Sequence, residues 1–158
     1  MSTFRRQILS EEQTAVVHRE LQQSLTSLID LSLVGKQLHW TVIGTVFESV
    51  HRQLDDMVDL TRSLADDIAE RVATLGVAPD GRAAAVAEGS CLPSVTPGFS
   101  RAESVVASTA DSLHLVIQQI RRAIAAIGAA DPISEDLLIG AAAQLEKTLW
   151  MFQTQELG

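Results

Sequence analysis

Six residues between positions 51 and 70 carry side chains suited to holding a metal ion or an ion pair: His51, Asp55, Asp59, Arg62, Asp66 and Glu70. Successive members are three or four positions apart, so on an α-helix, turning about 100° per residue, they form one slowly drifting polar ridge. An apolar stripe of the same spacing runs beside it: Phe47, Val50, Leu54, Val58, Thr61, Ala65, Ile68 and Val72. Imidazole together with several carboxylates suits iron or manganese, whereas thiolates would point to zinc or an iron–sulfur centre. Anionic oxygen ligands also bind Fe³⁺ better than Fe²⁺, so they favour oxidation of the bound metal.

The ridge has an internal symmetry. His51 and Glu70, Asp55 and Asp66, and Asp59 and Arg62 lie at equal distances on either side of a point between Leu60 and Thr61. Two copies of the helix packed antiparallel about a two-fold axis at that point would bring each residue beside its counterpart on the other chain. One helix alone cannot do so, because His51 and Glu70 would be roughly 28 Å apart along it. A dimer would then carry two identical clusters of imidazole and carboxylate, separated by Asp59–Arg62 ion pairs. The same stripe also fits a plain solvated charged face.

The elements that must position this ridge are helices. Ser10-Glu11-Glu12-Gln13 has the form of a capping box, so a first helix begins at Glu11. Its inner stripe is Val17, Leu21, Leu25, Leu28, Ser32, Gly35 and His39, while His18 points away and is expected to be exposed. Gly35 inside a helix costs about 1 kcal/mol relative to alanine, which close approach of a neighbouring helix would offset. Trp40 to Gly44 form a tight turn into a second helix, from about Thr45 to Leu75, stopped by Gly76 and Pro79-Asp80-Gly81. So short a link makes the two helices antiparallel neighbours.

Residues 76–99 hold three of the four prolines and read as a long crossover, with Arg82–Glu88 able to form a short helix. Ser100-Arg101-Ala102-Glu103 resembles a second capping box. It opens a third long helix with the stripe Val106, Thr109, Leu113, Val116, Ile120, Ile124 and Ile127, ending at Gly128; His114 beside this stripe is given no role. Asp131-Pro132 starts a fourth, with Leu138, Ala141, Leu145, Leu149 and Phe152 inward and Trp150 alongside. The fold class is therefore all-α, a four-helix bundle with one long crossover between helices 2 and 3, which is the ferritin-like connectivity. The Glu-x-x-His pairs of ordinary di-iron bundles are missing from helices 2 and 4, which argues against a metal site inside one chain and leaves the inter-subunit arrangement.

Composition sets the bounds. The 158 residues are 46% apolar with mean hydropathy +0.17, enough for one compact domain at 11–157 behind a flexible arm at 1–10. No apolar run approaches the roughly 18 residues of a membrane span, and the N-terminal stretch lacks a hydrophobic signal core, so a soluble cytoplasmic protein is expected. A net charge of −8 disfavours generic binding to phosphate backbones and suits attraction of cations. The single Cys91 lies in a Ser/Pro/Gly-rich stretch with no adjacent histidine. No Gly-rich phosphate loop, zinc spacing or internal repeat occurs.

The stretch KQLHWTVIGTVFESVHRQLDDMVDLTRSLADDIAERVATLGVAP, Lys36 to Pro79, closely resembles the signature of Dps proteins, the DNA-binding proteins from starved cells or miniferritins, and LEKTLW, Leu145 to Trp150, resembles their fourth-helix motif. The resemblance implies a hollow dodecamer of two-fold dimers that oxidises Fe²⁺, preferentially with hydrogen peroxide, at di-iron or mono-iron sites and stores ferric mineral inside, protecting DNA. By position, His39, His51 and Asp55 match the family's ferroxidase ligands from one subunit, and Asp66 and Glu70 those from its two-fold mate. Trp40 matches the tryptophan beside that centre, although plugging the turn between helices 1 and 2 accounts for it as well. Asp131 and Asp136 fall near positions that line the family's three-fold iron pores, and a plain helix cap explains Asp131 equally.

Two departures stand out: Thr41 replaces the asparagine that usually follows the tryptophan, and the chain has no lysine-rich tail. DNA contact then rests on Arg5 and Arg6 alone, so a nucleoid-associated, DNA-compacting protein is the alternative reading. A helical shell without redox chemistry is a third.

Overall fold

The computed structural model describes residues 5–157, so residues 1–4 of the expected arm lie outside the described residues. Helix α1 spans Glu11–Thr41, α2 Phe47–Thr74, α3 Ala83–Gly89, α4 Ala102–Ile127 and α5 Pro132–Gln153. Strands β1 (Val42–Ile43) and β2 (Ser100–Arg101) pair in parallel. Hairpin α1–α2 packs on hairpin α4–α5 mainly through α1 against α4, and the short α3 of the crossover lies on α1. This is the expected ferritin-like bundle with one long crossover.

Two of the helices, α1 and α5, begin at side-chain caps. Ser10 Oγ accepts from Gln13 N while Gln13 Oε1 accepts from Ser10 N, completing the capping box of α1. Asp131 caps α5 by accepting from the Ile133 N–H, with Pro132 in the first turn. Apart from Phe47 and the half-buried Ile124, the inward stripes of the four long helices are buried, with Leu21, Leu28, Leu54, Ile68, Leu113, Ile120, Leu138, Leu145 and Phe152 fully so; each such side chain contributes about 1.5–3 kcal/mol. Gly35 marks a close approach within the first hairpin: a Cβ there would lie 2.6 Å from Met57 Cε and 2.8 Å from Val58 Cγ2.

Four expectations need correction. The second helix starts at Phe47, because Gly44, at φ +122°, turns the chain and Thr45 and Val46 complete the turn. Phe47, assigned to the apolar stripe, is instead 43% exposed, since the helix has barely begun there and its ring tilts against His51. Ser100 does not cap α4: Ser100 and Arg101 are extended and pair with Val42 and Ile43, so Arg101 takes the cap position without a side-chain hydrogen bond. His18 is half-buried beneath the crossover rather than exposed, and that burial pushes its imidazole pKa down.

The crossover is clasped to α1. Gln22 donates to Asp80 O at 2.8 Å and accepts from Asp80 N at 2.9 Å, and Cys91 N donates to Ser27 Oγ. The parallel β1–β2 pair then ties the end of the crossover to the α1–α2 turn. That turn joins the two helix ends that carry the residues of the candidate site.

Candidate metal centre

His39 is in the last turn of α1 and His51 in the second turn of α2, so the hairpin brings them face to face. Their rings stack with centroids 3.6 Å apart and planes inclined by 21°. Each ring nitrogen Nδ1 is 2.9 Å from the main-chain carbonyl oxygen of the other histidine. A carbonyl oxygen only accepts, so both Nδ1 atoms carry the proton and donate. The exchange satisfies a carbonyl at the end of α1 that no helical N–H can reach. It also fixes the tautomer, leaving the Nε2 lone pair of each ring available to a metal.

Asp55, one turn after His51, completes the group. A ligand atom from each of His39, His51 and Asp55 lies within 4.8 Å of the other two, and His39 Nδ1 is 3.4 Å from Asp55 Oδ1. His39 is buried at 8% exposure, while His51 and Asp55 are half-buried, so the cluster is rooted in the core and opens to the surface. A hydrogen bond from Lys36 Nζ, followed by the charges of His39, Lys36 and His51, holds the Asp55 carboxyl below its ordinary pKa against the opposing effect of burial. The carboxylate is thus anionic at neutral pH, as a metal ligand must be.

Asp66 and Glu70 are exposed on the same helix and do not join this cluster. Asp59 and Arg62 between them are exposed too, and none of the four forms an ion pair among the described residues. The chain therefore presents half a donor set at one end of the α2 ridge and two further carboxylates at the other. Trp40 is 67% exposed, so it does not plug the turn; Thr41 there donates to Gln37 O at 2.8 Å.

Asp131 is 3% exposed and already engaged: Arg71 Nη2 lies 2.7 Å from its Oδ2, and Ser134 Oγ donates to the same oxygen. Burial works to raise the Asp131 carboxyl pKa, and the hydrogen bonds from Arg71 and Ser134 outweigh it, leaving the net value low. Asp136 is exposed, as are Arg5 and Arg6.

Residues 19–156 match the family described as the ferritin-like domain. A protein of Mycolicibacterium smegmatis named DNA protection during starvation protein is 34% identical over 150 residues, covering 95% of this chain and 82% of that protein. The chain belongs to the Dps family. The solved structure of Mycobacterium smegmatis Dps in its tetragonal form agrees, with a TM-score of 0.92 at 33% identity over 98% of this chain and 94% of that one. Another relative, the fine tangled pili major subunit of Haemophilus ducreyi, is 37% identical over 145 residues, covering 87% of this chain and 73% of that protein. Proteins named for different roles thus share this Dps-like sequence, and the chemistry has to be argued from the site.

One residue of the cluster escaped the sequence reading. Lys36, inside the Dps-like stretch but assigned no role, pairs with Asp55. The signal was present in the hairpin register: if His39 opposes His51, the residue one turn earlier on α1 opposes the residue one turn later on α2. Among the described residues no helix is long and apolar enough to cross a membrane.

Proposed function

We propose that two copies of this chain pair through antiparallel α2 helices and oxidise Fe²⁺ at two equivalent inter-subunit sites, each combining His39, His51 and Asp55 of one copy with Asp66 and Glu70 of the other. The observation that carries this reading is the reciprocal ring-to-carbonyl bonding of His39 and His51, which leaves both Nε2 lone pairs free in a group that also contains an ionised Asp55. Two imidazoles and three carboxylates suit a ferrous substrate and stabilise the ferric product. His51 and the opposing Glu70 hold the principal position, with Asp55, His39 and the opposing Asp66 completing a weaker second one. Asp59 of each copy meets Arg62 of the other and sets the register.

Iron is the substrate of this reaction. Two Fe²⁺ each give up one electron, hydrogen peroxide takes both, and its O–O bond breaks. The oxygen atoms end at the oxidation level of water, and hydrolysis of the ferric ions releases protons and deposits oxyhydroxide. Fe²⁺ and peroxide are consumed together, which removes both reactants that generate hydroxyl radical. DNA is protected by that route without being bound, in keeping with a chain of net charge −8. The shell is the family's hollow dodecamer, and the exposed Asp136, with the Arg71-held Asp131 behind it, is the candidate lining of an iron entry pore.

The test combines assembly mass with oxidation kinetics. Anaerobic Fe²⁺ loading followed by peroxide is expected to give a fast ferric absorbance rise and a heavier particle. His51→Ala is expected to slow the rise about a hundredfold while the shell mass is retained. Equal rates in the variant and the parent protein would overturn the assignment.

A further inference from the structure

His18 is half-buried on the face of α1 beneath the crossover, at the edge of a cavity of about 700 Å³. Arg19 of α1, Ala78 and Asp80 at the start of the crossover, and Ala85 and Glu88 of α3 line the same space. Its charged members are engaged or exposed. Arg19 pairs with Glu20, and Glu88 is exposed on the last turn of α3. Asp80 accepts from the main-chain N–H and the guanidinium of Arg82, whose hydrogen bonds hold its carboxyl pKa down to about 2. No carboxylate among the described residues pairs with His18. An imidazolium formed there gives up part of its hydration and gains no counter-charge in contact, so burial holds the His18 pKa below its ordinary 6.5.

The wall of the cavity opposite α1 is lightly held. Helix α3 has seven residues, a single buried side chain, Val86, and no side-chain cap at its start. Its attachment to α1 is close: a Cβ on Gly89 would lie 2.8 Å from Thr26 Oγ1. The two-way Gln22–Asp80 bonds fasten the crossover before α3, and the bond from Cys91 N to Ser27 Oγ fastens it after. We propose that α3 is an acid-released strap, lifted from α1 when His18 takes up a proton and draws water into the cavity. Helix α1 cannot yield in its place, because Val17 and Leu21 anchor it in the core. Lifting rehydrates the ring and returns it to its ordinary affinity for protons. The strap is therefore fully docked above about pH 6.5 and loosens as pH falls below that value through the folded pKa. A seven-residue helix detached from its neighbour does not persist in water, so release also unwinds it.

The test is hydrogen exchange of the assembled protein, followed at the amides of Val86 to Ser90 from about pH 7.5 to about pH 5.5, a window above the ordinary range of carboxylates. After correction for the intrinsic pH dependence of exchange, protection of these amides is expected to fall at least about threefold, while amides of Leu113 to Ile117 in the middle of α4 change less than about 1.5-fold. His18→Phe keeps a planar ring and removes the titrating nitrogens, and is expected to hold the protection of α3 level across the window. Assembly is verified by particle mass, and His18→Gln makes the same comparison if the phenylalanine variant does not assemble. The other histidines titrate alike in parent and variant, so an equal fall in both, or no fall in the parent, would overturn the strap. A rise in protection in acid would overturn it too, by showing that Glu88 closes on the imidazolium.

Discussion

The two ends of α2 solve opposite halves of one problem. At its start, His51 and Asp55 are held by neighbours: ring against ring, imidazole against carbonyl, carboxylate against ammonium. Toward its end, Asp66 and Glu70 stand exposed, and among the described residues no ion pair fixes them. Neither end is a site alone. The first has preorganised nitrogen donors but one carboxylate, already engaged; the second has anionic donors and no scaffold. The difference teaches why the proposed antiparallel pairing makes a two-fold axis part of the chemistry: it would set each end against the other.

The sharpest way to break that comparison is complementation. A shell of His51→Ala subunits loses every prepared end, and a shell of Glu70→Ala subunits loses every opposing ligand, so each is expected to fall to near-background ferroxidation. Unfolded and reassembled together at equal amounts, half the dimers are mixed, and each mixed dimer regains one site with wild-type residues on both sides. Activity is therefore expected to return to about a quarter of the parent rate. Absence of recovery in a mixture shown to contain mixed dimers would mean that the two ends do not share a site.

A second change tests whether the far end needs anything from its own chain. Beyond Glu70, α2 is anchored to α5 by Arg71, whose ion pair with Asp131 is nearly buried, at 12% and 4% side-chain exposure. Arg71→Ala leaves Asp131 without its counter-charge and is expected to cost about 3 kcal/mol, seen as a fall of roughly 6–12 °C in the melting midpoint. The pH dependence has a definite sign. Because the folded pKa of Asp131 lies below its ordinary 3.8, the stabilisation is present above that value and is lost as pH falls through the folded pKa. The parent is thus expected to lose stability in acid below about pH 4 more steeply than Arg71→Ala, as measured by melting across pH.

The smallest expected effect is at Trp40. Its ring is 67% exposed and does not support the turn, so Trp40→Phe should change the stability of the unassembled chain by less than about 0.5 kcal/mol. A large loss by chemical denaturation would show that the indole has a packing role inside the monomer.

Much of this was legible beforehand, and the reasons are specific. Helical periodicity put His39 on the buried stripe of the first helix and His51 and Asp55 on one ridge of the second, while the resemblance to Dps proteins is what grouped the three. Gly35 announced a close helix contact, and Met57 and Val58 supply it. Lys36 was not assigned because a lysine on a half-buried face usually reaches solvent, and nothing in its spacing distinguishes snorkelling from pairing. The misreading at Ser100 has a different cause. Ser-x-x-Glu reports a local preference, and here a main-chain pairing with residues far earlier in sequence overrides it. Exposure was misjudged at Phe47 and His18 for a related reason: one lies where the helix has just begun, and the other lies under a segment whose path no periodicity describes.

The mutual grip of His39 and His51 also bears on how this centre can change over generations. Replacing either ring removes a potential ligand, strips a hydrogen bond from the carbonyl of the other histidine and removes that ring's stacking partner. The second replacement then has less left to disturb, so the combined cost falls short of the two separate costs added together. Such coupling makes a single departure the hardest step. The two histidines are accordingly expected to persist or to be exchanged as one unit, while the exposed Asp66 and Glu70, outside that cluster, are free of this coupling.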